Sequence, residues 1–554
     1  MRSAETLPHF AADYLSWRHE VQPTAATFDG VHVHDDLLED FSRAAIDRQV
    51  RDLNGFARRL ASMPVDQIPA AERPDHSALM AATHARLHEI EVVRTWERDP
   101  QLYADTIATS LAAQAIFTYA PAAERARRML SKLRQVAGVL DAARANVREP
   151  AGIFIKTASE TLRGVVSFLN RDLPRALREV DDLSLLADLD DAATLARTAI
   201  ERYVRDLEEE QAPRAKATFR LGKERLEQKL KLGDAITLDT DALLRIADRE
   251  LAATRERFAE VARKLGKGPA DQVWAKVKQQ HVEPGGLVTR VREQCAALYT
   301  FLRDSGIVTV PDADALVIAP TPPFYRWTFA SLWAPGPLEV RQQRSFYYVT
   351  DVDQSWPQER QDEHLRDMND AVLWAISMHE ALPGHFLHFE HLRKIAAPWR
   401  KATVLAPLSV IEGWAHYAEH LVIEQGFAKK DPVIELGQLA ESLVRLCRLI
   451  VGLRLHAEDL SVEQGVRFFR EEAMLEEASA RREAERGTFD PSYVIYALGK
   501  LMLLKLRKDV EAHRGPAFDA RRFHDEFLGL GLQPFDVLRQ QMLPGEANDG
   551  VVLA

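Results

Sequence analysis

The spacing of apolar positions marks the chain as helical over most of its length. Residues 1 to about 150 alternate apolar and charged positions at three-and-four intervals, as in Leu53, Phe56, Ala57 and Leu60, with breaks at Pro23, Pro64 and Pro69. Residues 150–215 continue this layer, and Glu179-Val180-Asp181-Asp182 reads as a solvated face. From Phe219 to Leu265 the chain is dense in Glu, Lys, Arg, Leu and Ala, which favour long helices; no heptad is sustained, so packed amphipathic helices are expected rather than a coiled-coil arm. Pro284-Gly285-Gly286 is a loop. The pattern changes between about 308 and 356, where Val308 to Val310, Ala315 to Ile318 and Phe346 to Thr350 are short β-prone runs among Pro320, Pro322, Pro323, Pro335 and Pro337. A small sheet is expected there. Within it, Ser345-Phe346-Tyr347-Tyr348-Val349 is either an edge strand able to pair with an extended substrate or part of a structural hairpin. Leu365, Met368, Val372, Ala375, Ile376 and His379 then share one helical face that turns His379 towards the core, and beyond Glu412 the chain is helical to its end. Gly529-Leu530-Gly531 marks a helix end rather than a phosphate cradle. The expected fold is mainly α with a small sheet beside the helix of His379, divided into an N-terminal helical region, 1–305, and a second region, 306–554.

Composition narrows the function. At 554 residues the chain can bury a large core, and 46% hydrophobic with 28% charged residues is that of an ordered protein. A net charge of -11 disfavours nucleic-acid binding, which needs basic stripes. Cys295 and Cys447 are the only cysteines, so neither a disulfide framework nor a cysteine-rich zinc site is available. The start of the chain, MRSAETLPHFAADYLSW, lacks a basic segment followed by an apolar one, and no run is long enough to span a bilayer; a cytoplasmic protein without membrane partners is expected.

Candidate chemistry lies in His379-Glu380-Ala381-Leu382-Pro383-Gly384-His385, read with Glu412. Two histidines, an adjacent carboxylate and a later carboxylate are the parts of a hydrolytic metal site. Histidines four apart share a helix face, but His379 and His385 are six apart, about 120° out of register on a regular helix. Pro383 lacks a backbone N–H and clashes one turn back, so a break at Pro383-Gly384 is expected, and it could swing His385 back towards His379. From Ala402 to Ala418, Glu412 is the only Asp, Glu, Lys or Arg, and a carboxylate in so apolar a run is costly to bury unless paired or bound to a metal. A core histidine beside a surface Glu is the alternative, but it leaves Glu412 unexplained.

These residues, with Glu412-Gly413-Trp414-Ala415-His416-Tyr417-Ala418-Glu419, Tyr496-x-x-Gly499 and Leu506-Arg507, resemble the bacterial domain-of-unknown-function family 885, a family regarded as related to helical gluzincin metallopeptidases such as thimet oligopeptidase and angiotensin-converting enzyme. The resemblance extends to Pro23-Thr24-Ala25-Ala26-Thr27-Phe28-Asp29-Gly30, Leu221-Gly222-Lys223-Glu224 and Arg521-Arg522-Phe523-His524-Asp525. It implies a metallopeptidase-like fold with His379, His385 and Glu412 as metal ligands and Glu380 as catalytic base. Arg486, Tyr496 and Arg507 match further family positions. His388 stands where the family usually has Gln, His416 at a usually aliphatic position, and Gly452 where an acidic residue is expected.

The implied cofactor is one zinc ion per chain, with manganese or cobalt as alternatives for the same donor set. Three protein ligands leave a position for water, whose proton Glu380 would take. Tyr496 would donate to the developing oxyanion or else pack in the core. Arg486 and Arg507 would hold a substrate carboxylate or else form structural ion pairs. His456 and His524 are pocket candidates or packing residues, and His416 and Glu419, one and two turns after Glu412, are partners behind the ligands or competing ligands. The expected function is zinc-dependent cleavage of amide bonds in short peptides. The alternatives are an amidase acting on a small non-peptide amide and a non-catalytic helical binding protein with an inherited metal site.

Overall fold

A computed structural model of the chain describes residues 5–322, 329–341, 343–545 and 553. Pro323 and residues 1–4 lie outside the described residues. Among the described residues the fold is mainly α, with one small sheet. In the N-terminal layer, Leu53 and Leu60 are fully buried along the helix Arg43–Ala61, which Ser42 caps by accepting the N–H of Ala45. Pro23 begins a helix, Pro23–Asp29, where its missing N–H costs nothing, and Pro64 and Pro69 lie in the turn before the helix Arg73–His88. The acid-rich stretch before Leu183 is solvated at Glu179, Asp181 and Asp182, and Asp182 also caps the helix Leu183–Arg205. The Glu/Lys/Arg/Leu-rich segment forms Lys223–Asp234 and the 26-residue helix Thr240–Leu265.

Hydrophobic side chains gather into separate cores. One is built by residues between Leu38 and Leu207, whereas Leu221 to Val308 join the core that also holds Tyr347 through Leu543 and surrounds the motif helices. No helix among the described residues is long and apolar enough to cross a membrane.

The sheet has three strands, β1 (Leu316–Pro320), β2 (Ala330–Trp333) and β3 (Ser345–Val349), in the order β1-β3-β2. β3 runs parallel to β1, pairing Leu316 with Ser345, and antiparallel to β2, pairing Trp333 with Phe346. This corrects two expectations. Ser345–Val349 is the central strand, so neither of its sides is open to a substrate; of the two readings, the hairpin one holds, with β2 as its antiparallel partner, and the edge-strand one does not. Val308–Val310 is not a strand: it is held by side chains instead, with Thr309 donating to Asp525 through its N–H (2.8 Å) and its hydroxyl (2.6 Å). β2, an edge strand, lies against the helix of His379 and was not legible in the pattern.

The apolar face from Leu365 to His379 spans two helices rather than one, Gln358–Asp367 and Asp370–Glu380. Asn369 divides them by capping the second, accepting the N–H groups of Ala371 (3.0 Å) and Val372 (3.2 Å). The helix Asp370–Glu380 packs on the buried central helix Pro432–Ala457, and the helix Leu408–Glu424 packs on Ile495–Arg514. The last pair cross where Gly413 meets Gly499, and a Cβ on Gly499 would stand 2.2 Å from the carbonyl oxygen of Ser409.

Candidate metal centre

The helix that carries His379 ends at Glu380, and a new one starts at His385. Between them the chain folds back so tightly that a Cβ on Gly384 would lie 1.7 Å from the carbonyl oxygen of His379. Only glycine permits that approach. The fully buried Trp414 fixes the turn from the neighbouring helix, donating its indole N–H to the carbonyls of Pro383 (2.9 Å) and Gly384 (3.3 Å). The break therefore cancels the six-residue misregister: the imidazoles of His379 and His385 meet edge to face with centroids 4.8 Å apart.

Glu412, near the start of the helix Leu408–Glu424, completes the group. Its Oε2 lies 3.5 Å from Nε2 of His379 and 3.5 Å from Nε2 of His385, and ligand atoms of all three residues lie within 4.8 Å of one another. Burial opposes the charge on Glu412, yet the two imidazoles hold it well below the usual carboxylate range. Its Oε2 is nevertheless buried without a hydrogen-bond partner among the described residues. Such a convergence fits a cation better than a proton. Donors about 2.0–2.2 Å from a tetrahedral zinc ion stand roughly 3.3–3.6 Å apart, and two imidazoles with one carboxylate suit zinc.

Behind the group, Nδ1 of His379 pairs with Oε1 of the fully buried Glu419 at 2.8 Å, which leaves Nε2 to face Glu412. Glu419 is in turn 3.3 Å from Nη2 of Arg445, which also pairs with Glu441, and its Oε2 is 3.4 Å from Nδ1 of His416. Burial would raise the carboxyl pKa of Glu419, but Arg445, then His416 and His379, hold it well below the usual range. Burial would likewise lower the pKa of His379, yet the neighbouring carboxylates of Glu412 and Glu419 raise it to about 9. His388 is buried with Nδ1 unpartnered, and burial pushes its pKa down to about 3.

Glu380 sits beside the group, and its Oε2 accepts the backbone N–H of Leu332 in β2 at 3.0 Å. Tyr496 stacks on His379, ring centroids 6.5 Å apart and planes 18° apart. Burial raises its pKa, with Glu412 adding to the effect, so the phenol remains a proton donor. Its hydroxyl oxygen accepts from Nη2 of Arg486 at 3.2 Å.

Three expected pocket residues, Arg507, His456 and His524, stand apart from this centre. Arg507 forms a fork with Glu424 (2.6 and 3.1 Å) and donates to Tyr417. Glu424 is twelve residues beyond Glu412 on the same helix, about 18 Å at 1.5 Å per residue. His456 accepts the N–H of Leu221 at Nδ1 (3.3 Å) and donates to the carbonyl of Gly487 from Nε2 (2.8 Å), so neither ring nitrogen is left for a ligand. Burial pushes its pKa down to about 4. His524 is spent in the same way, between the carbonyl of Ile307 and the hydroxyl of Tyr417.

Sequence reasoning passed over Leu332, Trp414 and Arg445. Arg445 lacked the signal that singled out Glu412, because Glu441 precedes it by four residues and Arg448 follows it by three, so it does not stand alone in an apolar run. Leu332 acts through its backbone, which has no side-chain signature.

Comparison with known proteins agrees with this architecture. A protein from Shewanella oneidensis, described as a candidate lipoprotein of unknown function, superposes with a TM-score of 0.80 at 23% identity, covering 98% of this chain and 100% of its own. A candidate lipoprotein from Colwellia psychrerythraea superposes with a TM-score of 0.82 at 19% identity, covering 97% and 98%. At these identities the likeness establishes the fold alone. No curated protein matches the chain. Residues 23–542 match the family described as "Bacterial protein of unknown function (DUF885)", and the chain belongs to that family.

Proposed function

We propose that this chain is a zinc-dependent hydrolase of the metallopeptidase type that cleaves amide bonds in short peptides. The observation that carries the proposal is the convergence of His379, His385 and Glu412 on one point, with a buried carboxylate oxygen that has no hydrogen-bond partner among the described residues. Bound there, a zinc ion supplies Lewis acidity and water with a pKa lowered to about 7. The chain supplies the rest. Glu419 holds the ring of His379 by its Nδ1, so Nε2 is the ligand atom. Glu380, steadied by Leu332, takes the proton of the attacking water and passes it to the leaving amine, a role worth roughly 10²- to 10⁴-fold. Tyr496 donates its hydroxyl hydrogen to the developing oxyanion. The side chain of Glu412 is 21% exposed and that of His385 12%, so the centre is largely covered by protein yet reached by solvent, which favours a small or extended substrate over a folded protein.

Metal content by mass spectrometry, run beside cleavage of a mixed short-peptide library, tests the proposal. The expected result is about one zinc per wild-type chain, lost with cleavage in His379→Ala and Glu412→Ala. Glu380→Gln should keep the zinc and lose about 10²-fold or more in rate. Folded wild type that takes up no zinc on reconstitution would sink the metal reading. Undiminished cleavage by Glu380→Gln would remove Glu380 as the base.

A further inference from the structure

Three elements other than the ligand helices meet at Tyr496. Arg486 lies near the end of the helix Glu477–Phe489, Arg448 on the central helix Pro432–Ala457, and Tyr496 in the first turn of Ile495–Arg514. Nε and Nη2 of Arg486 both donate to Oδ2 of Asp490, at 3.1 and 2.9 Å. That same Nη2 donates to the hydroxyl oxygen of Tyr496 at 3.2 Å. Arg448, fixed by its fork with Glu483 (2.6 and 2.8 Å), lies 5.1 Å from the centroid of the Tyr496 ring. The phenol is thus held between two anchored guanidinium groups and the ring of His379.

We infer that Arg486, anchored by Asp490, is a positioning residue that aims the hydroxyl hydrogen of Tyr496 at the metal centre. A phenolic hydrogen lies close to the ring plane by conjugation, so it has two orientations. A guanidinium has donors and no acceptor, so the hydrogen cannot point at Arg486 and must take the other orientation. Arg486 thereby removes the orientation in which Tyr496 could not donate to a substrate oxygen. This differs from a fork for a substrate carboxylate, because two of its N–H groups are already committed to Asp490. The effect on turnover rests on the hydrolase reading above; the positioning rests on geometry alone.

Two measurements test this. Kinetics on the zinc-loaded enzyme should show Tyr496→Phe slowing kcat by about 10²- to 10³-fold, the usual cost of a lost oxyanion donor. Arg486→Gln should lower kcat about tenfold or more with KM changed less than about threefold, and the loss should nearly vanish in the Tyr496→Phe background. Arg486→Lys, which keeps a charged donor, should recover part of the rate and guards against misfolding in the Gln variant. A rise in KM alone, or an equal loss in the Tyr496→Phe background, would overturn the inference.

The second measurement needs no turnover. With [13Cζ]tyrosine in the metal-free protein, the Tyr496 resonance, assigned by its loss in Tyr496→Phe, should shift in Arg486→Gln and return towards the wild-type position in Arg486→Lys. An unmoved resonance would overturn the inference even if no amide substrate were found. A moved one in an inactive protein would keep the positioning and discard the hydrolase.

Discussion

Replacement of Gly384 by alanine tests most directly how the chain brings two histidines six residues apart onto one centre. The added Cβ would lie 1.7 Å from the carbonyl oxygen of His379, 2.4 Å from its carbonyl carbon and 2.5 Å from the carbonyl oxygen of Met378. All three are backbone atoms, so no side-chain rotation relieves the clash, and the turn must open by more than an ångström. Overpacking in a well-packed interior costs about 1–3 kcal/mol, occasionally more. The opening also moves His385 relative to His379, and a misplacement of about 1 Å at a reacting centre costs on the order of 10²-fold. Gly55→Ala is the control. Gly55 lies inside the helix Arg43–Ala61 with nothing within 4 Å of its Cβ position, so alanine there should stabilise by up to about 1 kcal/mol through helix propensity. Denaturant midpoints should therefore move in opposite directions for the same chemical change. Zinc affinity, measured by competition with a chromophoric chelator, should fall by at least about tenfold in Gly384→Ala and stay unchanged in Gly55→Ala. If Gly384→Ala matched wild type in both stability and zinc affinity, the close turn would not be what places His385.

Two further outcomes follow from the buried charges. Glu419→Gln keeps the acceptor for Nδ1 of His379 but removes the charge facing Arg445, so zinc affinity should fall by about 10- to 100-fold in the same chelator competition; a change below about threefold would mean that Glu419 does not tune the ligand. His456 is held neutral with a pKa of about 4, so between its ordinary value near 6.5 and 4 the unfolded chain binds more protons than the native one. Stability should fall as pH drops through that window, by up to roughly 3 kcal/mol from this group. His456→Gln, which can still accept from Leu221 and donate to Gly487, should flatten that part of the pH dependence of the denaturation midpoint, whereas an unchanged slope would assign the acid sensitivity to other groups.

The residues of the centre were legible because each violates a local rule. Glu412 is a charge in an apolar run, and His379 shares the apolar face of a helix; both signals follow from the cost of burying polar groups and survive without coordinates. The mainly α character follows equally from three-and-four spacing, which reports a local preference. Pairing was less legible. Ser345–Val349 reads as a strand from its own residues, but its place in the centre of the sheet depends on β1 and β2 covering both of its sides. Val308–Val310 has the composition of a strand but no partner strand among the described residues, and Asp525 holds it in another way.

The sequence by itself determined that this protein is a large helical one, with His379, Glu380, His385 and Glu412 as its candidate site and a helix break between the histidines. Only the tertiary structure decided that the break closes rather than splays the site. That outcome depends on Trp414, thirty residues on, holding the carbonyl of Gly384, and on a backbone approach that glycine alone permits. Tertiary structure likewise assigned the arginines: Arg486 to Tyr496, Arg445 to Glu419, and Arg507 to Glu424, away from the centre. The physical reason is common to all three. A long cationic side chain satisfies its charge with whichever carboxylate or hydroxyl the fold brings within reach, and that neighbour is distant in the chain or set by helix packing, so spacing along the sequence does not specify it.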